Sequence, residues 1–304
     1  MWVFIVNPVA GNGKGKAIFE KLQKTETYRS LDSVYSFSEY EGHVEELARN
    51  WKDEDNITGM VIVGGDGTIH EAINGIGATD IPIGFIPAGS GNDFARGIGV
   101  KGSPETLLKQ FVHSNDTRKY WLGTYKQNGH KRRYFVNSMG FGFDALTAHT
   151  ANQANYKKLF NQLRFGTGGY VTALLQVLVR FRPFTVEMIK NNKKRTIDQC
   201  WLVSVGNHPY YGGGMKIMPN AKIQPDKFSV LIVHSLPKWK VLALFLTVFT
   251  GTHEKIKGVE LVEASQLTVK VDDEIYTQVD GQTSTTRETE IRKMKDSIPI
   301  IIPK

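Results

Sequence analysis

Residues 60–71 read Met60-Val61-Ile62-Val63-Gly64-Gly65-Asp66-Gly67-Thr68-Ile69-His70-Glu71, and this stretch decides the fold. Four apolar residues without a polar interruption predict a strand buried on both faces, the kind that belongs in a parallel sheet covered by helices. The glycines open a tight turn, and Thr68–Ile76 reads as the helix behind it. Glycine lets backbone N–H groups approach a ligand, and a helix N-terminus favours anionic oxygens. A carboxylate inside such a cradle repels phosphate unless a cation lies between them. Asp66 therefore points to Mg²⁺ bridged to a nucleotide through water. The competing reading is a tight Asp-Gly turn whose carboxylate bonds its own backbone.

The same strand–loop–helix unit recurs on both sides of this stretch. Trp2–Asn7 is an apolar run that ends in a glycine-rich turn, Gly11–Gly15. Ser33–Phe37 reads as another strand, and Val44, Leu47, Ala48 and Trp51 make one apolar helix face. Ile83–Pro87 is followed by the polar loop Ala88–Asp93, and Pro104–Val112 reads as a helix with Ser103 as its cap. Three loops thus follow strands: Asn7–Gly11, Gly64–Thr68 and Pro87–Asp93. In an open α/β sheet, ligands bind at those carboxyl ends. The first loop fits neither a Walker nor a dinucleotide pattern, because the Gly11 run ends in Lys16-Ala17; plain turn and phosphate site both stay open for it.

From about residue 118 the texture changes to short β-rich segments: Tyr120–Lys126, Arg133–Ser138, Phe184–Ile189, Asp198–Val205, Phe228–His234, Leu267–Val271 and Ile275–Asp280. These predict an antiparallel sandwich, interrupted by helical stretches at Lys157–Arg182 and Lys238–Thr250. We therefore expect an α/β domain over 1–117, a β-sandwich domain over 118–290, and a tail, 291–304, returning to the first domain.

Composition narrows the classes. The 304 residues are 40% hydrophobic and 22% charged, which excludes a disordered or fibrous chain. A single cysteine, Cys200, excludes an intramolecular disulfide and a cysteine-built zinc site, and suits a reducing cytoplasm. Asn7-Pro8 stops Trp2–Val6 before a leader core forms, and the apolar run Val241–Thr250 is half of what a membrane span needs. We expect a soluble chain, or one that touches a membrane only from outside. Residues 1–125 carry 12 Lys and Arg against 16 Asp and Glu, a net −4, while the remainder carries +12 within a total of +8. A basic second half is drawn to an anionic partner, yet no motif for reading nucleic acid is present. A homodimer is compatible with the sequence.

In order and spacing, Asn7–Gly11, Gly64–Glu71 and Gly89–Arg96 (Gly-Ser-Gly-Asn-Asp-Phe-Ala-Arg) resemble the nucleotide loops of the soluble bacterial diacylglycerol kinases. These are lipid kinases related to sphingosine and ceramide kinases. Later echoes at Asn137–Asp144, Gly212–Gly214, Pro219-Asn220-Ala221 and Asp280-Gly281 carry the resemblance nearly end to end. It implies an N-terminal domain similar to those of phosphofructokinases and NAD kinases, a C-terminal β-sandwich with the lipid-side residues, and ATP and Mg²⁺ as cofactors. By position it places ATP contacts on Asn7, Pro8, Val9, Ala10, Gly11, Ser38, Gly65, Asp66, Gly67, Thr68, Ile69, His70, Glu71, Ser90, Gly91 and Asn92. Asp66 and Asp93 would join a carboxylate–water–Mg²⁺ network, and Asp66, Asp93, Asp280 and Gln282 would form the catalytic set. The implied reaction is transfer of the γ-phosphate of ATP to a hydroxyl of diacylglycerol or a similar lipid, by a cytoplasmic protein peripherally associated with a membrane.

Two positions depart from the family. Its Asp-Gly-Glu, with the glutamate as the proposed proton acceptor, is Asp280-Gly281-Gln282 here, and an amide takes no proton at neutral pH. Asp66 or Asp280 could substitute. Where the family often has an Asp-Asp-Gly turn holding a structural magnesium, Gln224-Pro225-Asp226 stands, and we expect that site to be absent. Gln282 keeps alive a weak or inactive regulator that binds nucleotide and lipid; a NAD-kinase-like enzyme shares the Gly-Gly-Asp-Gly loop. Lys157, Lys158, Arg164, Arg180 and Arg182 flank the apolar stretch Tyr170–Val179, which reads either as an interfacial helix or as a core helix with solvated basic ends.

Overall fold

The computed structural model describes residues 1–113, 116–153 and 168–302. The chain divides into two compact units: Met1–Leu122 with Gly212–Gly214 and Met294–Lys304, and Gly123–Tyr211 with Met215–Lys293.

The first unit is built on a six-stranded sheet. Its strands run in the order Ser33–Phe37, Trp2–Val6, Gly59–Gly64, Ile83–Pro87, Ile298–Ile301 and Thr117–Tyr120. All neighbouring pairs are parallel except the last, where the tail strand meets Thr117–Tyr120 antiparallel. Trp2–Val6 and Gly59–Gly64 are buried at every position, as their unbroken apolar runs predict. Chain order reverses between these two adjacent strands, so the loops leaving them open a crevice at a topological switch point.

Aromatic rings fasten the first helix, Ala10–Leu22, to this sheet. Phe19 is fully buried, and its ring lies 5.1–5.8 Å from those of Phe4, Tyr28, Tyr35 and Phe37. Such tilted and edge-on pairs add attraction to the area they bury.

The second unit is an antiparallel, sandwich-like sheet of nine strands. Its two longest strands are Lys193–Gly206 and Gln266–Val279, each of 14 residues. Each changes register part-way, near Cys200 in one and between Lys270 and Ile275 in the other. An extra residue bends a strand and sharpens its twist, which lets one sheet fold over its own core. Phe184–Lys190 completes the turnover by pairing with both long strands. The enclosed core includes Phe135, Phe141, Val203, Val230 and Leu267.

Several elements differ from the expected ones. Leu267–Val271 and Ile275–Asp280 belong to one strand, because the acidic run Asp272-Asp273-Glu274 sits in the bulge instead of ending it. Tyr120–Lys126 is divided between the units, as Thr117–Tyr120 in the first sheet and Gly123–Gln127 in the second. The helix expected over Lys157–Arg182 is described as Gly168–Arg180; Lys157, Lys158 and Arg164 lie outside the described residues.

Truncating Phe19 to alanine removes the ring on which four others converge. Phe19→Ala is expected to destabilise the first unit by about 3–5 kcal/mol, read as a lower midpoint in urea.

Candidate active site

The three loops of the first unit converge because glycine allows backbone to meet backbone. A Cβ on Gly89 would stand 2.7 Å from the Cα of Gly65, and one on Gly11 would fall 2.1 Å from the carbonyl oxygen of Ala88. Gly11, Asn12 and Gly13 carry positive φ values of 57°, 60° and 87° and interrupt the first helix at its start. Thr68 Oγ1 accepts from Gly65 N–H and from Asn7 Nδ2, both at 3.2 Å, and so joins the first loop to the second. Asn92 staples the third loop, accepting from Gly89 N–H at 3.0 Å and donating to the Gly89 carbonyl at 2.9 Å.

Two carboxylates are fixed on this frame. Asp66 Oδ1 accepts the N–H of Phe94 at 2.9 Å, across 28 residues of sequence. Asp93 is buried; its Oδ2 accepts from Gly213 N–H at 2.7 Å, and its Oδ1 meets Arg96 at 3.2 Å. Burial pushes the Asp93 carboxyl up, while the Gly213 N–H and the Arg96 guanidinium pull it down. Arg96 also donates to the Gly91 carbonyl. One oxygen of each carboxylate lies near Gly91: a Cβ there would stand 3.0 Å from Asp66 Oδ2 and 3.9 Å from Asp93 Oδ2, the latter still bonded to Gly213 N–H.

Other expected residues are placed differently. Ile69 and His70 are fully buried, with Asn74 Nδ2 3.4 Å from the His70 ring, so only their backbone belongs to the loop. The Glu71 carboxylate accepts backbone N–H groups of Gly42 and Val44, where it anchors the start of the helix His43–Asn50. Burial outweighs those bonds and raises its pKa. Ser38 is buried, with its N–H on the Val6 carbonyl; Val9 and Ser90 are exposed. Sequence reasoning missed the Phe94 N–H, Arg96 and Gly213 as partners of the carboxylates. The run Gly212-Gly213-Gly214, with φ of 58°, 89° and 104°, was the available signal.

In the second unit, Asp280 receives three backbone donors. Oδ2 accepts from Val136 at 2.7 Å, and Oδ1 accepts from Asn137 at 2.7 Å and Ser138 at 3.0 Å. The carboxylate thereby organises that turn. Gln282 is exposed at the start of its strand. Beside Asp280, Asn137 Oδ1 lies 3.0 Å from His208 Nε2, and Lys293 Nζ donates to Asn207 Oδ1 at 2.6 Å. Burial lowers His208 to about 4 and Lys293 to about 7. Elsewhere in the unit, Asp144 is the one charged group lining an apolar cavity with Leu202, Tyr211, Leu231, Val241 and Phe245. Tyr211 donates to its Oδ2 at 3.1 Å, and burial lifts the carboxyl to about 7.

Comparison with known proteins supplies the family. Residues 1–124 match the diacylglycerol kinase catalytic domain, and residues 137–301 match the YegS C-terminal NAD kinase beta sandwich-like domain. The chain belongs to the diacylglycerol kinase family. It is 33% identical to the "Putative lipid kinase YtlR" of Bacillus subtilis, over 92% of this chain and 93% of that one. It is 28% identical to a diacylglycerol kinase of Mycobacterium tuberculosis, over 81% and 77%. In fold it is similar to a crystal structure described as a "putative diacylglycerol kinase" from Bacillus anthracis, with a TM-score of 0.77 at 20% identity, over 99% and 94% of the chains. As expected from the sequence, a parallel-sheet α/β domain precedes an antiparallel sandwich-like one in this family member. No helix among the described residues is long and apolar enough to cross a membrane.

Asp144 carries a pH signature. Its folded pKa of about 7 lies above the 3.8 of an ordinary aspartate, so its contribution is intact below pH 4 and lost as pH rises through 7. His208 works oppositely, since its lowered pKa loses stability as pH falls toward 4. Asp144→Asn isolates the first effect. The variant is expected to gain on the parent between pH 4 and 8, by up to about 4 kcal/mol in urea unfolding.

Proposed function

We propose that the chain is a Mg²⁺-dependent kinase that transfers the γ-phosphate of ATP to a hydroxyl of diacylglycerol or a similar lipid. The supporting observation is the pair Asp66 Oδ2 and Asp93 Oδ2, which both lie close to Gly91 within a cradle of glycine backbone. Two carboxylates that also hold backbone N–H groups are too few to strip Mg²⁺ of its water, so the residues fit a hydrated ion. When bound, the ion supplies neutralisation of charge on the phosphates. The chain's own part is to hold the nucleotide loops in register, with Asn7, Thr68 and Asn92 as ties.

The proton of the acceptor hydroxyl falls to Asp66. Gln282 takes no proton, and protonating Asp280 would cost acceptor bonds to three N–H groups. Phosphoryl transfer relies mainly on positioning and charge stabilisation, so an amide at position 282 is compatible with turnover. A regulator that binds nucleotide and lipid without catalysis is the second reading, and Gln282 is the residue that favours it. Supporting a lipid acceptor and peripheral membrane action are the family and the basic second half of the chain.

Transfer from γ-labelled ATP to dioleoylglycerol in mixed micelles tests this reading. Asp66→Asn is expected to lower kcat by at least about 100-fold, and Gln282→Glu to raise it. Labelled lipid from neither the parent nor Gln282→Glu, with ATP still bound, would establish the regulator. Gly89→Ala drives a methyl group into the Cα of Gly65 and is expected to weaken binding of a non-hydrolysable ATP analogue by about tenfold or more in calorimetry, with far-UV dichroism unchanged.

A further inference from the structure

The second unit exposes five large hydrophobic side chains among its described residues: Leu175, Val179, Trp239, Leu242 and Phe249. All five lie on two helices, Gly168–Arg180 and Lys238–Thr247, or in the turn just after the second. The helices meet end to end, since Lys238 Nζ donates to the Val179 carbonyl near the close of the first. Their inner faces supply Leu174, Val177, Leu178, Val241 and Leu244 to the core. Apolar residues therefore occupy both sides of each helix, a pattern that water alone does not reward.

Along these two segments the charges have one sign. Arg180 and Arg182 follow Val179, and Lys238 and Lys240 bracket Trp239. Lys240 Nζ sits 5.3 Å from the Trp239 ring centroid. No Asp or Glu occurs in residues 168–182 or 236–250. Trp239 is 67% exposed and Val179 72%, so the most prominent apolar groups stand next to the cations.

We propose that this helix pair is the face by which the chain docks on an anionic phospholipid membrane. Trp239, Leu242 and Phe249 would enter the headgroup boundary, and Arg180, Arg182 and Lys240 would pair with lipid phosphates. An indole with an apolar body and a polar N–H belongs at that depth, and an apolar patch combined with a cationic cluster gives the two signals that stable peripheral binding requires. A second copy of the chain fits less well, because a two-fold interface sets each patch against itself and would oppose cations to cations. The inference gives the lipid-kinase reading its membrane contact and rests on that reading for its purpose, while binding itself is measured without turnover.

The test is flotation of the full chain with phosphatidylglycerol or phosphatidylcholine vesicles, together with quenching of tryptophan fluorescence by brominated acyl chains. The parent is expected to bind phosphatidylglycerol vesicles at least tenfold tighter than phosphatidylcholine vesicles. Trp239→Ser with Phe249→Ser, and Arg182→Glu with Lys240→Glu, should each weaken that binding tenfold or more, with the melting temperature checked for both. Lys131→Glu with Lys193→Glu, exposed cations elsewhere on the unit, should change it less than twofold. Failure of the parent to bind phosphatidylglycerol vesicles, equal binding by all variants, or a solution dimer lost in the patch variants would overturn the proposal. Transfer to a short-chain diacylglycerol without vesicles separates the two readings. Its absence in the parent would sink the kinase but not the docking face, and its persistence in patch variants that no longer float would confirm that the face serves the membrane.

Discussion

The candidate site of the first unit depends on one hydrogen bond, Phe94 N–H to Asp66 Oδ1. It ties the head of one helix to the side chain at the head of another, and so fixes the distance between the second and third loops. The bond forms only because Gly65 and Gly89 let the two backbones approach within a separation that any Cβ would violate. Backbone contact leaves no side-chain rotamers to readjust, so the two loops are held rigidly against each other. Asp66 and Asp93 then receive their orientation from N–H donors whose positions the frame dictates.

A similar device recurs in the second unit with the polarity kept and the chemistry changed. Asp280 gathers the N–H groups of residues 136–138, and the turn they form presents Asn137 to His208. Each carboxylate here costs desolvation that is offset by backbone donors. At Asp144 burial among apolar side chains outweighs the bonds from Tyr211 and the neighbouring backbone N–H groups, which is why its carboxyl rises to about 7.

Local pattern made the parallel sheet, its loops and Asp66 legible, because unbroken apolar strands and glycine turns are written in adjacent residues. Residues whose partners are distant were less so. Glu71 follows the second loop in sequence and reads as part of it, yet its carboxylate caps a helix that begins at His43. His70 sits one residue nearer the loop and points into the core, since a helix turns roughly 100° at every residue. The long strand Gln266–Val279 was legible only in halves, as three acids in a row break the alternation that marks a strand. A bulge has no local signature when charged side chains fill it.

The charge partition of the sequence also finds its physical meaning at particular residues. Many of the second unit's cations are already matched: Arg195 with Glu260, Lys194 with Glu187, Arg132 with Glu290 and Lys270 with Glu288. Exposed pairs of this kind contribute little to stability, but they cancel the local field. The cations near Trp239 and Val179 have no acid within their own helical segments, so positive charge persists there. A basic total alone could not locate an anionic partner. Pairing matters to that question, because the long-range field of a surface is set by the charges that remain uncancelled.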